Sequence, residues 1–175
     1  MLICTGQAGA TEPLPYNYRV IDKTIHAGGH PLKPAWFRNS DEQVLAILDY
    51  LKSQGVKTII DLENTGWIQK RYERLLAEAG LIRLHIPMHA DKVPTASEWQ
   101  QIKEAMKEHV YIHCKWGADR TGAVLGRFLV EEKGFPPEKA YQAVIAGGSH
   151  AGPKGGLKQK PAYRKLKQFI WDGPN

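Results

Sequence analysis

A thiol, five intervening residues, then a guanidinium followed by a hydroxyl and a glycine make up Cys114 to Gly122 within VYIHCKWGADRTGAVLG, residues 110–126. Val110, Tyr111 and Ile112 form a short apolar, β-prone run that predicts a buried strand, and Ala123, Val124, Leu125, Phe128 and Leu129 recur at helical spacing. The residues between therefore join a strand to a helix N-terminus. There the first backbone N–H groups lack intrahelical partners, and the helix dipole favours an anion. If that anion is a phosphoryl group, the N–H groups of Lys115, Trp116, Gly117, Ala118, Asp119 and Arg120 converge on its oxygens, and Gly117 lets the backbone approach with no Cβ in the way. Arg120 caps the cradle, because its planar fork takes two phosphate oxygens at once, which lysine cannot do. The same donors would hold Cys114 as a thiolate, a nucleophile at neutral pH.

Such a loop needs a scaffold, and the rest of the chain alternates strand and helix signals. YRVID and IHA predict a small hairpin about Lys23 and Thr24, followed by the Gly/Pro-rich GGHPLKP. Ser40 with Gln43 reads as the capping box of a helix through Val44, Leu45, Ile47, Leu48 and Leu51 that Gly55 ends. VKTIIDL predicts a buried strand, Ile68 to Ala79 an amphipathic helix ended by Gly80, and LIRLHI another strand. Thr95 with Glu98 caps a third helix reaching about His109, and PPEKAYQAVIAGG and KPAYRKLKQFIWDG supply two more. These signals predict an α/β fold: a single domain over 16–175, following a flexible arm over 1–15, with a central, mostly parallel twisted sheet flanked by helices. Ligands of such sheets gather at the carboxyl ends of the strands. That puts Cys114 and the loops after Leu62 and after Ile86 on one rim.

The 175 residues, 42% hydrophobic, suffice for one domain with an ordinary core. The net charge of +6 favours acidic partners such as phosphorylated metabolites, nucleic acid or an anionic membrane. Between Lys139 and Trp171 there is no Asp or Glu, whereas Lys139, Lys154, Lys158, Lys160, Arg164, Lys165 and Lys167 are basic. Most simply this is a solvated basic helix, and it is compatible with steering a polyanion. Two cysteines are too few for a disulfide framework, and no stretch approaches the ~20 apolar residues that span a membrane. Ala8-Gly9-Ala10 is like the end of a trimmed signal sequence, although a basic start and enough apolar length are missing before it. A soluble chain of cytoplasm or periplasm is expected.

His113-Cys114, five residues, then Arg120-Thr121-Gly122 resembles the phosphate-binding signature of the protein tyrosine phosphatase superfamily. NYRVIDKTIHAGGHP, GVKTIIDLEN and LHIPMHADKVPT are similar to successive segments of the small bacterial dual-specificity-like phosphatases, so that the resemblance spans roughly residues 16–150. It implies that Cys114 forms a cysteinyl-phosphate, that Arg120 binds substrate and transition state, and that the Thr121 hydroxyl stabilises the departing thiolate. It further implies that His113 orients the loop from behind and that Asp91, in MHADKVP, is the general acid on a movable loop. Asp119 is the rival acid, since some relatives also read Gly-x-Asp-Arg-Thr; otherwise it holds loop backbone. HAGGHP departs from the Arg-Ser-Gly-Gln-Pro segment common in these relatives.

The signature does not choose a substrate. Lys115 after the cysteine resembles the loops of inositol-phosphate and phosphoinositide phosphatases, and Lys92 follows the expected acid. With the basic C-terminal third, these favour an inositol polyphosphate, as in the tyrosine-phosphatase-like phytases, with a phosphotyrosyl, phosphoseryl or phosphothreonyl protein as the alternative. A non-catalytic phosphate-binding module is a third possibility. No metal or other cofactor is expected: His85 and His89 lie four apart, but Pro87 prevents the helical geometry and no acidic cluster joins them. Trp116, Tyr163, Phe169 and Trp171 are too scattered for a nucleic-acid groove, and a monomer is expected.

Overall fold

The computed structural model describes residues 13–146, 152, 155, 157 and 160–174. Residues 1–12 of the expected arm over 1–15, with the Ala8-Gly9-Ala10 feature, and the basic residues Lys154 and Lys158 lie outside the described residues.

β1 (Arg19–Asp22) and β2 (Ile25–Gly29) form the expected hairpin, and α1 (Asp41–Ser53), β3 (Thr58–Asp61), α2 (Gln69–Ala79), β4 (Ile82–His85), α3 (Ala96–Ala105) and β5 (Val110–Cys114) follow in alternation. After β5 come α4 (Asp119–Lys133), α5 (Pro137–Ile145) and α6 (Arg164–Asp172). The five strands form one sheet in the order β1-β2-β5-β3-β4, antiparallel only between β1 and β2. β5, buried along its whole length, lies at the centre and carries Cys114 at its carboxyl end.

Both capping boxes form: Ser40 Oγ accepts from the Gln43 N–H while Gln43 reaches back, and Thr95 and Glu98 do the same. Gly80 ends α2 in the left-handed conformation that a Cβ disfavours. α3 stops at Ala105, short of the expected His109. The Lys107 and Glu108 N–H groups turn back to Glu104 and Ala105, a tight i→i−3 turn that lets the chain enter β5 at Val110.

Side chains alternate across β5. Val110, Ile112 and Cys114 join a core with α3, α4, α5 and α6, while Tyr111 faces a second core built on α1 and α2. The register Gly29↔Cys114 and Asp61↔His113 brings the carboxyl ends of β2, β3 and β5 level with one another, forming the rim on which the site is built.

Candidate active site

β5 ends at Cys114, residues 115–118 turn, and α4 begins at Asp119 with no side-chain cap on its N-terminus. That leaves the first N–H groups of α4 and the loop to meet an anion. The loop is fixed from below. Gly117 has φ +67°, and a Cβ there would lie 2.6 Å from the Gly29 nitrogen and inside the contact radius of the Gly28 carbonyl. The His30 N–H donates to the Lys115 carbonyl at 3.0 Å, Asn17 Nδ2 to the Gly117 carbonyl at 3.2 Å, and the Tyr111 hydroxyl to the Gly29 carbonyl at 2.5 Å. HAGGHP, the segment that departs from the bacterial pattern, is therefore the floor of the loop, and its two adjacent glycines let two backbones nearly touch.

Arg120 is oriented by groups from both neighbouring rim loops. Its Nη2 donates to Glu63 Oε2 at 3.0 Å, and its Nη1 reaches the carbonyls of Leu62 and Met88 and Asn64 Oδ1 at 3.1, 3.2 and 3.1 Å. Glu63, 1% exposed, is itself held through Oε1 by the Thr65 hydroxyl and the N–H groups of Asn64 and Thr65. Burial works against the Arg120 charge, but the negative charges of Cys114 and Glu63 outweigh it and raise the arginine pKa. With these bonds made, Nε–H and an Nη2–H remain available to an oxyanion.

The pocket in front of the loop has a volume of about 290 Å³ and is lined by Asn64, His89, Ala90, Cys114, Lys115, Trp116, Asp119, Arg120 and Tyr163. A larger cavity of about 470 Å³ lies at the other end of the sheet, but its charges are matched in pairs, Lys133 with Asp22 and Lys107 with Glu104, both at 2.6 Å. The smaller one brings the Cys114 thiol and the Arg120 guanidinium together.

Most of the residues expected from the sequence meet here. Cys114, Lys115, Trp116, Asp119 and Arg120 line the pocket, and Gly117 and Ala118 supply loop backbone. Thr121 is buried in the first turn of α4, and its hydroxyl has no hydrogen-bond partner among the described residues. The Lys115 ammonium lies over the Phe37 ring, 5.2 Å from its centroid. His113 lies buried behind the loop, where its Nε2 meets the Tyr72 hydroxyl at 3.0 Å and His30 lies against it at 4.7 Å between ring centroids. Burial lowers the His113 pKa, although Asp61 and Glu63 oppose it, and burial lowers that of His30 well below the ordinary imidazole value.

Two expected residues are not brought in. Asp91 is exposed beyond Ala90, outside the pocket lining, and Lys92 turns away toward α3, its ammonium 3.9 Å from Glu98. The physical reason is local: the His89 N–H donates to the Lys92 carbonyl, closing a turn that carries His89 inward and Asp91 and Lys92 outward. His89 thus enters the pocket as a neighbour of Asn64, Nδ1 to Nδ2 2.7 Å, rather than as a partner of His85, which meets the Glu63 carbonyl at 2.8 Å.

Glu63, Asn64 and Tyr163 carry no motif of their own; the first two lie in the loop after Leu62 that the rim rule marked, at the end of the GVKTIIDLEN segment. Arg19 lies outside the pocket lining. It pairs with Ala27 across the hairpin and is buried, and burial pulls its pKa down to about 10 against the opposing effects of Tyr111 and Cys114. His30, Asp61 and His113 offer ligand atoms within 4.8 Å of one another. Asp61, however, already binds Arg83 at 2.6 Å and the Glu63 N–H at 2.8 Å, which suits a polar network better than a cation.

A family model described as Tc-R-P, the DSP-PTPase phosphatase of polymorphic toxin systems, matches residues 38–134. The chain belongs to this DSP-PTPase phosphatase family. The dual specificity protein phosphatase TpbA of Pseudomonas aeruginosa is 25% identical over 151 residues, 83% of this chain and 64% of TpbA, so the chain spans less than two thirds of that relative's length. The tyrosine-protein phosphatase of Autographa californica nuclear polyhedrosis virus is 30% identical over 132 residues, 69% of this chain and 77% of the viral protein. Crystal structures agree on the fold. P. aeruginosa TpbA superposes with a TM-score of 0.63 at 20% identity, covering 87% of this chain and 84% of TpbA. Kinase associated phosphatase superposes with a TM-score of 0.66 at 18% identity, covering 91% and 96% respectively. A DSP-PTPase phosphatase with a mostly parallel sheet and its cysteine at the end of the central strand is the architecture the signature predicts.

Proposed function

We propose that this chain hydrolyses phosphate monoesters through a cysteinyl-phosphate. The observation that carries this is the placement of Cys114 at the mouth of an uncapped helix N-terminus, facing an arginine that Glu63 holds in position. Cys114 Sγ attacks phosphorus as the loop N–H groups and Arg120 bind the oxygens. The ester oxygen leaves with a proton from Asp91, and water then displaces the thiolate, releasing orthophosphate. The buried Thr121 hydroxyl has a donor to offer the sulfur at that step. Asp91 reaches the leaving oxygen when the 88–94 turn swings inward; Asp119, which lines the pocket now, is the competing acid.

For substrate, Lys115 beside Arg120 supports a phosphorylated inositol ring, while Lys92 does not contribute from its place against Glu98. Among solved relatives, PTPMT1 is described in complex with PI(5)P and SIW14 as a PP-IP phosphatase. A phosphotyrosyl protein is the alternative, as TpbA is described in complex with pTyr and the pocket wall carries Trp116.

The test is hydrolysis of para-nitrophenyl phosphate. Cys114→Ser abolishes it, since an alcohol is not ionised at neutral pH and leaves phosphate poorly, and EDTA has no effect. Activity in the serine variant, or loss on chelation, overturns the mechanism. A panel of phosphotyrosyl peptide, inositol hexakisphosphate and phosphoinositide ranks the substrates.

A further inference from the structure

Three of the five tryptophans are solvent-exposed, Trp36 at 75%, Trp67 at 71% and Trp116 at 41%. Trp67 lies in a short helical turn, Gly66–Ile68, and Trp36 and Trp116 lie on loops. Trp67 meets the Phe37 ring edge-on at 5.5 Å, the Lys115 ammonium lies over that same ring, and Trp116 follows Lys115 on the pocket wall. Trp36 directly precedes Phe37 in a turn where Lys33, Trp36 and Phe37 have φ of 74°, 67° and 50°. Left-handed backbone is unfavourable for a side chain as bulky as an indole, and at Trp36 no burial offsets it.

Charge on this rim is predominantly basic. Segments 31–40 and 64–72 contain no Asp or Glu, and Lys33, Arg38 and Lys70 are exposed there with Lys115 beside them; Asp41, Glu42 and Glu73 flank these segments, Asp41 paired with Arg74. Arg71, in the same stretch, is already engaged by Asp41.

We propose that this rim docks on an anionic phospholipid bilayer. Trp36 and Trp67 enter the headgroup layer, Lys33, Arg38 and Lys70 meet lipid phosphates, and the pocket takes a phosphorylated headgroup from the membrane surface. The proposal rests on the phosphatase reading above and adds where its substrate is presented. Indole rings concentrate at membrane interfaces because an apolar body and an N–H suit the boundary, and clustered basic residues are drawn to anionic leaflets. A peptide partner would need its anchors received in a concave pocket. These two side chains project outward, and neither lines the catalytic pocket or the larger cavity.

The test is flotation of the Cys114→Ser chain, which binds without turnover, with vesicles of phosphatidylcholine alone or mixed with phosphatidylserine. The expected result is binding to the mixed vesicles only, reversed by salt. Trp36→Ala with Trp67→Ala lowers it by about tenfold or more, and Arg38→Gln by about fivefold. Neither change, made in the active chain, alters hydrolysis of para-nitrophenyl phosphate. Absence of vesicle binding, or binding indifferent to both tryptophans, overturns the proposal. So does a double variant that raises KM for an acidic phosphotyrosyl peptide while vesicles go unbound, which would make the rim a peptide site. Failure of the phosphatase reading shows separately, as an active-site-intact chain that cannot hydrolyse para-nitrophenyl phosphate.

Discussion

Segments 115–118 and 87–94 border the same pocket, but they are held differently. The first is tied from beneath by Asn17, the Gly28–Gly29 backbone and the His30 N–H, with Gly117 pressed on its neighbour. The second is fastened at its ends, where Met88 and Pro94 are buried and the Met88 carbonyl accepts from Arg120, while Asp91 and Lys92 stand in water at its apex. The difference separates two tasks. Binding an oxyanion wants donors that do not move, because rearranging them would consume the interaction energy. Delivering a proton to a leaving group that varies with substrate tolerates a segment free to swing.

The widest test of this contrast lies at the apex. Asp91→Asn lowers kcat by about 10²–10⁴ for an alkyl phosphate and much less for an aryl ester with a good leaving group. The check is steady-state kinetics on both esters beside Asp119→Asn. If Asp119→Asn alone shows the pattern, the acid belongs to the rigid segment and the division of labour fails.

Next in size is the floor. Gly117→Ala combines a left-handed φ with a collision against Gly28, so it destabilises by about 2–5 kcal/mol. Gly66, where a Cβ meets nothing within 4 Å, serves as the control, and Gly66→Ala shifts stability by about 0.5 kcal/mol or less. Urea unfolding of both variants decides it.

The histidines behind the loop give a third test. The folded pKa values of His30 and His113 lie below the ordinary 6.5, so the unfolded chain binds protons that the folded one refuses. Their contribution is present in full above pH 6.5 and is lost as pH falls below it, by up to about 1.4 kcal/mol per pH unit for each histidine. Thermal unfolding between pH 7 and 5 measures the slope. His30→Gln flattens it, and an unchanged slope refutes the assignment.

The smallest effect is at Lys92. Its partner Glu98 is 3.9 Å away and the ammonium is half-exposed, so Lys92→Ala changes stability by about 0.5 kcal/mol or less. It leaves kcat/KM for inositol hexakisphosphate and para-nitrophenyl phosphate in the same ratio. A selective loss on the polyphosphate would return Lys92 to the pocket.

What the sequence made legible was local or periodic. The alternation of strands and helices, both capping boxes and the Cys114-to-Arg120 spacing each depend on residues a few positions apart. The rest depends on register and on distant neighbours. Nothing near Gly117 announces that Gly28 lies beneath it, 89 positions earlier in the chain. The pairing of Glu63 with Arg120 crosses 57 positions, and Tyr163 reaches the pocket from beyond α5. The outward turn at Asp91 is set by one backbone hydrogen bond that no residue type advertises.

Arg120, finally, is moored before any ester arrives, to Glu63 and to carbonyls of two separate loops. A receptor assembled in advance does not distinguish a phosphate still attached to its alcohol from one just set free. In the proposed reaction, the contacts that capture the substrate oxygens retain orthophosphate after hydrolysis, so the closing step of each cycle works against the same donors that opened it, and free phosphate competes for the empty cradle. Speed of capture and ease of release are opposed in this architecture, and the stiffness of one guanidinium sets where the balance falls.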